Sequence, residues 1–263
     1  MCGRYELHAH PTAIALAFGL PGVPDIEPRY NIAPMSDVPV VRVNAENVRE
    51  LVLLRWGLVP RAAKDPSVGS RIINARSETV AERPSFRMPF RRHRCLLPAS
   101  GFYEWLTVTD GAQARKQPLR IAPADGALFG IAGLYERWLS PEGEVLDTCT
   151  VLTTSANNLL SRFSGRMPVI IGPEDYARWL EPQNEEVSDL LRPYPAAQMA
   201  LHPVSTRVNA TRNEGADLIE PVPWPADALE AHAPETVPAA ENDKAAEPEQ
   251  ESLFQEPEQE SLF

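Results

Sequence analysis

The chain begins Met1-Cys2-Gly3-Arg4. A small second residue permits loss of Met1, which would leave Cys2 with an α-amine and a thiol on adjacent carbons. An α-amine titrates at about 7.7–8.0 and a thiol at about 8.5, so a fraction of each is nucleophilic at neutral pH. Two chemistries suit the pair. The thiol can attack an acyl carbon with the amine as its base. Alternatively the amine condenses with an aldehyde to an imine, and the thiol closes that imine into a five-membered thiazolidine. A cysteine that merely follows the initiator methionine is the third reading, and the start alone does not choose among them.

Imine chemistry needs a group that moves protons in both directions, and a partly buried carboxyl with a raised pKa can do so. Glu104 follows the apolar run Cys95–Pro98 and is flanked by Phe102, Tyr103 and Trp105. That setting is expected to raise its pKa; the plainer alternative is a surface glutamate at a strand start. Arg83, Arg87, Arg91, Arg92 and Arg94, with Phe86 and Phe90 between them, form the densest positive stretch. Cations beside aromatics suit a single nucleic-acid strand, neutralising phosphates while bases stack. An arginine-rich solvated loop has the same composition. Trp56 is read either as core or as a platform for a base. Cys95 and Cys149 lie in apolar patterns and are expected to be buried free thiols. His8, His10, His93 and His202 are read as structural or surface residues. The cysteines form neither a disulfide framework nor a CxxC pair, so no metal or other cofactor is expected.

The elements that must position these groups are short. Val38–Val43, Leu51–Trp56, Cys95–Pro98, Leu119–Ile121, Leu128–Leu134, Thr148–Thr153 and Val169–Ile171 read as strands between turn residues. Helical patterns cover Pro11–Phe18, Ser155–Phe163 and Glu174–Leu180. The expected fold class is α+β, a single domain with a curved, mostly antiparallel sheet or partly open barrel and a few helices. Its expected span is residues 2–226. From 227 to 263 the chain is Ala-, Pro- and Glu-rich and cannot offset its ordering entropy, so a disordered acidic tail is expected. Eleven of the chain's 36 acidic residues fall in that tail against Lys244 alone. The net charge of −11 therefore belongs mostly to the tail. The body is nearly neutral, with arginine as its principal cation, and the acidic balance does not exclude a DNA-binding body. The run Ala13–Leu20 is too short for a membrane span and a poor secretory signal, which points to a cytoplasmic protein. Nothing suggests a dimer, and a monomer is expected.

Six motifs occur in order after the Met-Cys-Gly-Arg start, with a softer match in Val204-Ser205 and Val208-Asn209. They are Pro28-Arg29-Tyr30-Asn31-Ile32-Ala33-Pro34, Arg55-Trp56-Gly57-Leu58-Val59-Pro60 and Asn74-Ala75-Arg76-Ser77-Glu78. Arg94-Cys95-Leu96-Leu97-Pro98-Ala99, Gly101-Phe102-Tyr103-Glu104-Trp105 and Arg166-Met167-Pro168-Val169-Ile170 complete the series. Over roughly residues 2–224 the chain resembles the SRAP family, the SOS response-associated peptidases that process abasic sites in DNA. The resemblance implies a protein that releases Met1 itself and crosslinks covalently to the aldehyde of an abasic site in single-stranded DNA. It implies Cys2 as the crosslinking residue, Asn74 as holder of the opened sugar or of the Cys2 backbone, and Glu104 as the acid–base carboxylate. Arg4 and Arg76 resemble the family's phosphate-contacting arginines, and Trp56 and Arg166 are further expected DNA contacts. One position departs from the pattern. The family's active-site His, two residues before the Arg of Arg-Met-Pro, is here Ser164, whose hydroxyl cannot hold a proton near neutral pH.

Two other functions compete: an N-terminal-Cys glutamine amidotransferase, and a non-catalytic scaffold for single-stranded DNA. The amidotransferase would need an ammonia-using partner domain, for which the body leaves no room. The tail adds a partner. Glu-Pro-Glu-Gln-Glu-Ser-Leu-Phe occurs at 247–254 and again at 256–263. Each copy looks like the bacterial sliding-clamp pentapeptide, with Leu253 and Phe254 or Leu262 and Phe263 as apolar anchors for a groove. Gln250 and Gln259 would each supply a directional hydrogen bond. Glu251 and Glu260 stand where Leu is frequent, so each copy should bind weakly and the pair should gain by rebinding. A peptide of residues 245–263 is expected to bind purified clamp at least about tenfold more tightly than the same peptide with both Leu-Phe pairs changed to Ala. Titration of the two peptides checks this, and equal binding would leave only a charged tail.

Overall fold

Short apolar runs lay down the strands. Asp37–Val43 (β3) buries Val38, Pro39, Val40 and Val41 on both of its faces, whereas the end of Arg49–Trp56 (β4) alternates, burying Leu54 and Trp56 while Leu53 and Arg55 face out. The computed structural model describes residues 2–110 and 113–225. Before β3 come Tyr5–Leu7 (β1), the helix Pro11–Phe18 (α1) and Arg29–Ile32 (β2). After β4 come Asn74–Arg76 (β5), the helix Pro84–Arg92 (α2) and Arg94–Ala99 (β6). Gly101–Asp110 (β7), Gln113–Pro123 (β8), Phe129–Leu139 (β9) and Val145–Ser155 (β10) are the long strands. Arg166–Pro168 (β11), Ile170–Ile171 (β12), the helix Tyr176–Leu180 (α3) and Met199–Pro203 (β13) follow.

These strands make two sheets, and the fold is α+β as expected. One has the order β13-β8-β7-β1-β2. The other runs β11-β10-β4-β3-β6-β9-β12, with β5 on β10 and a further β9–β10 pairing. That pairing links β10, β4, β3, β6 and β9 into a five-stranded ring, antiparallel except where β10 meets β4. The ring leaves no unpaired edge among its own strands, the usual gain from closing a sheet. The register puts Val40, Cys95, Leu97, Ile131 and Val151 on one common face of the ring, all fully buried.

Two helical expectations change. Ser155–Phe163 is the end of β10 followed by turns, not a helix. Asn157 takes the Leu160 amide on its own side chain, 3.0 Å away, and its side-chain amide donates to the Tyr194 carbonyl at 2.8 Å. Such local side-chain bonds compete with helix formation. Conversely, the arginine-rich stretch forms α2, started by Pro84 and burying Phe86, Pro89 and Phe90 on one side. Phe86 and Phe90 are therefore core residues rather than stacking platforms. The tail residues Gln250, Leu253, Phe254, Gln259, Leu262 and Phe263, and the expected boundary after 226, lie outside the described residues. No described helix is long and apolar enough to cross a membrane.

A backbone crossing after β4 fixes the segment that leads to β5. Gly57 has φ of 145° and donates its N–H to the Cys149 carbonyl at 2.8 Å. A Cβ on Gly69 would lie 2.5 Å from the Gly57 oxygen. Only glycine on both strands lets them touch. The Leu58 N–H then reaches the Ile72 carbonyl at 3.1 Å, so the chain enters β5 in one register. Gly69→Ala is expected to destabilise the fold by about 1–3 kcal/mol through this overpacking. Urea unfolding checks it, and a loss below about 0.5 kcal/mol would mean that the crossing relaxes freely.

Candidate active site

Strand β1 is three residues long, yet it is an interior strand, paired with β2 on one side and β7 on the other. That placement orders a chain terminus, which otherwise frays. Tyr5 is fully buried, its ring edge-on to Trp56 with centroids 5.6 Å apart. Glu6 is fully buried as well, bonded to Arg120 Nε at 2.7 Å and to the Tyr103 hydroxyl at 2.9 Å. Burial alone would raise its pKa, but His8 and Arg120 hold the Glu6 carboxyl below the usual range. The start of the chain is thus clamped by packing and by a buried ionic network.

Cys2 has no exposed surface. Burial pushes its thiol up to about 12, and the charge of Glu104 adds to the shift. The group is a thiol, not a thiolate, at neutral pH. The Asn74 side-chain amide donates to the Cys2 carbonyl at 2.8 Å. Asn74 opens β5, whose residue Asn74 is paired with Val151 of β10. Trp56 fixes the preceding residue, since its indole N–H donates to the Ile73 carbonyl at 2.8 Å. The ring of Trp56 is wholly buried and offers no face to a base. Its observed place is in the wall that positions Asn74.

Glu104 lies in β7, where alternate side chains face opposite ways. Phe102 and Leu106 join the main core, whereas Tyr103 packs with Val204 and Val208 and Trp105 lies against that smaller cluster. Glu104 therefore occupies a core-facing position and is only 7% exposed. Burial raises its pKa, and a hydrogen bond from Ser164 works in the other direction. The flanking aromatics Tyr103 and Trp105 are on the opposite face, so strand alternation rather than an aromatic cage makes the site dry. Ser164 is brought beside Glu104 by the bend before β11. Its hydroxyl donates to the Arg166 carbonyl at 2.8 Å and accepts from the Arg166 amide at 3.3 Å. Cys2, Asn74, Glu104 and Ser164 thus come together from four distant parts of the chain.

The four expected DNA contacts separate by burial. Arg4 is 9% exposed and donates to Asn31 Oδ1 at 2.6 Å and the Val208 carbonyl at 2.7 Å. Its guanidinium also sits 5.6 Å from the Trp105 ring centre. In this arrangement Arg4 is a strut between the N-terminus and the 208–213 turn. Arg166 forks onto Glu78 at 2.5 and 3.0 Å and reaches the Thr153 carbonyl at 2.5 Å. Arg76 is exposed. It lines a cleft of about 330 Å³ with Arg71, Ile72, Asn74, Thr79, Arg83, Ser85 and Phe86. That lining is cationic and carries no carboxylate. The larger hollow beside α3, lined by Glu174, Asp175 and Arg192, holds none of the expected site residues.

Residue-type reasoning missed the parts that hold the site. Asn31 donates to the carbonyls of Val208, Ala210 and Asn213 at 3.2, 3.1 and 2.9 Å, tying the end of the body to β2. The signal was its place inside the Arg-Tyr-Asn-Ile-Ala-Pro motif. Asn209 has a similar role, accepting from the Trp105 indole at 2.7 Å. Glu6 gave no signal beyond an acid on an apolar strand. Cys95 and Cys149 are buried free thiols. His93 stacks on Tyr135, and His202 meets the Ile219 carbonyl.

The fold and this cluster define a class: a mixed barrel protein whose second residue is held in a dry pocket beside a carboxyl. The family model of the SOS response associated peptidase (SRAP) matches residues 1–211. The abasic site processing protein YoqW of Bacillus subtilis is 42% identical over 226 residues, covering 84% of this chain and 99% of that protein. The abasic site processing protein HMCES of Gallus gallus is 33% identical and covers 83% and 71%. A Bacteroides thetaiotaomicron protein of known crystal structure superposes with a TM-score of 0.74 at 24% identity, covering 84% of this chain and all of its own. The chain belongs to the SRAP family.

The buried carboxyl has a thermodynamic signature. Below the ordinary glutamate value of 4.5, Glu104 is protonated in both folded and unfolded chains and costs nothing. As pH rises through its raised folded pKa, ionisation in the dry site erodes stability. Glu104→Gln removes that penalty. Between pH 4 and pH 8 the variant is expected to match the parent at the acid end and to exceed it in melting temperature once pH passes the ordinary glutamate value. The margin is expected to hold constant above the raised folded pKa. Thermal unfolding across that range checks the sign, and a gap that shrinks with pH would contradict a raised pKa.

Proposed function

We propose that the chain processes abasic sites in single-stranded DNA by joining Cys2 covalently to the aldehyde of the opened sugar. The observation that carries the reading is the 2.8 Å bond from Asn74 to the Cys2 carbonyl, which pins residue 2 beside a protonatable carboxyl. The names and identity of the relatives support the same substrate class.

The steps are these. Water adds across the Met1–Cys2 peptide bond, releasing methionine and freeing the Cys2 amine. The amine adds to the aldehyde carbon, and Glu104 relays the surplus ammonium proton to the alkoxide oxygen to give the neutral carbinolamine. The protonated Glu104 then donates to the hydroxyl, which leaves as water, and the resulting carboxylate takes the nitrogen proton from the iminium to yield the imine. The thiol sulfur then adds to the imine carbon while its proton passes to nitrogen, closing the thiazolidine. One water leaves for each adduct formed. A thiol held near 12 makes the amine the first nucleophile and the sulfur the second. Asn74 keeps the Cys2 backbone still through both additions, a positioning contribution that enzymes exploit widely. Ser164 can donate to the Glu104 carboxylate or to the Arg166 carbonyl, so it steadies the ionised form without storing a proton.

The amidotransferase reading shares the N-terminal cysteine but not the cationic cleft beside Asn74, which suits a phosphodiester better than a free amino acid. The Leu-Phe repeats of the tail would tether the protein to the sliding clamp, close to single-stranded gaps in the cytoplasm.

Cys2→Ala is expected to give no heat-stable adduct with an abasic oligonucleotide. Cys2→Ser should retain an imine, trapped by borohydride and formed more slowly, but no stable ring. Denaturing gels and intact mass check both, and a stable adduct from Cys2→Ala at the parent rate would overturn the mechanism.

A further inference from the structure

The arginine-rich stretch divides when it folds. Arg94 turns inward, 3% exposed, and donates to the carbonyls of Trp179, Phe90, Arg91, Glu181 and Asn184. Arg92 faces Glu185 at 3.7 Å and bonds Gln183 at 2.8 Å. Phe86 and Phe90 are buried. What remains outside is Arg83, Arg87 and Arg91, all exposed and without an ion pair among the described residues. They are spaced four apart, with Arg83 at the N-cap of α2, so they share one side of the helix. Successive members are offset by about 6 Å along the axis. That is close to the spacing of successive phosphates on an extended strand.

The stripe is continuous with the site. Arg83 lines the same cleft as Asn74, Arg76 and Arg71, and Asn74 holds Cys2. Met88, 53% exposed, lies between Arg87 and Arg91 and supplies an apolar edge to the row. Arg42, Arg120, Arg137, Arg166, Arg178 and Arg207 each meet a carboxylate, whereas Arg55, Arg61, Arg162, Arg192 and Arg212 are exposed like the stripe but do not line the cleft. Uncancelled arginines in a row that begins at the cleft form a local field in a body that is otherwise near neutral.

We infer that this side of α2 is a track for the backbone phosphates of undamaged single strand leaving the cleft, with one phosphate on each of Arg83, Arg87 and Arg91. The inference rests on the abasic-site reading above. The track binds the backbone only, because the aromatics that would read or stack bases are in the core. Arg83 is shared with the cleft, whereas Arg87 and Arg91 contribute only to strands long enough to extend past it.

The test is a salt titration of equilibrium binding with two oligonucleotides bearing a reduced, unreactive abasic sugar, of about 4 and about 20 nucleotides. Each phosphate neutralised on a single strand contributes about 0.7 to the slope of log affinity against log salt. Changing Arg83, Arg87 and Arg91 together to Gln is expected to flatten the slope by about 2 for the long strand and by no more than about 0.7 for the short one, which reaches only Arg83 in the cleft. The triple Lys replacement keeps the charges and is expected to retain the parent slope, which separates lost charge from damaged folding. An unchanged slope on the long strand, or an equal change on both strands, overturns the track. Adduct formation with the short, unreduced abasic oligonucleotide is measured in parallel. Its failure in the parent protein would count against the abasic-site reading itself, while the slopes would still decide the track.

Discussion

Holding the second residue of a chain still is the constraint around which the rest of this body is arranged. A terminus is the segment most prone to fraying, and each backbone residue fixed costs about 1–2 kcal/mol of conformational entropy. One hydrogen bond such as that from Asn74 to Cys2 returns only about 1 kcal/mol. The bond therefore cannot order the terminus alone. Interior placement of β1 does most of it: backbone pairing on both sides, Tyr5 against Trp56, and Glu6 in its network with Arg120 and Tyr103. Asn74 then sets the last degree of freedom. Its own position depends on the Gly57–Gly69 crossing and the Trp56 indole, so several motif residues are parts of one positioning chain.

Arginine serves two opposed purposes here. Arg4 and Arg94 are buried and spend their donors on side-chain and backbone oxygens, which a planar five-donor head does well. Burial lowers the pKa of both, yet each keeps its charge, and lysine could not replace the divergent bonds. The exposed arginines of the cleft and α2 do the reverse: they are held apart from carboxylates and face solvent. Residue type alone cannot separate these uses. Arg94 and Arg91 are three positions apart in one basic run, and only the turn from α2 into β6 sends one inward and leaves the other outside.

The strand pattern was legible because alternation and β-branching report directly on a two-sided sheet; β3, β4, β6 and β10 lie within a few residues of their expected limits. Helix α1 coincides with its pattern, helped by Pro11 and by Gly19 in the left-handed region at φ of 62°. Helix α2 was hidden by Pro89 and by charge density, although Phe86, Pro89 and Phe90 at helical spacing carried the signal. The false helix at 155–163 had the right composition but offered its amides to Asn157. At the site, motif order brought Cys2, Asn74, Glu104 and Ser164 forward. The sequence could not say why Glu104 is dry, because that depends on which face of β7 meets the barrel, a fact of pairing rather than composition.

Unfinished hydrogen bonds gather around the site without being confined to it. A folded body satisfies nearly all its buried polar atoms, and each exception costs about 1–3 kcal/mol. Arg94 completes bonds to five carbonyls far from Cys2. Arg4 Nε, the Tyr5 hydroxyl, Asn74 Oδ1 and Arg166 Nε are buried without a partner among the described residues, as are His93 Nδ1, Thr150 Oγ1 and the Tyr176 hydroxyl farther off. Asn74 is the clearest case, since its amide nitrogen is committed to Cys2 while its oxygen, a hydrogen-bond acceptor, stays unspent. A carboxyl that resists ionisation and a thiol that resists deprotonation lie in the same place. Each feature lowers the stability of the unliganded fold. Together they leave capacity where a sugar and its phosphates would supply donors, acceptors and charge. Such unspent capacity at Asn74 is what a site that keeps its binding energy for its substrate would hold.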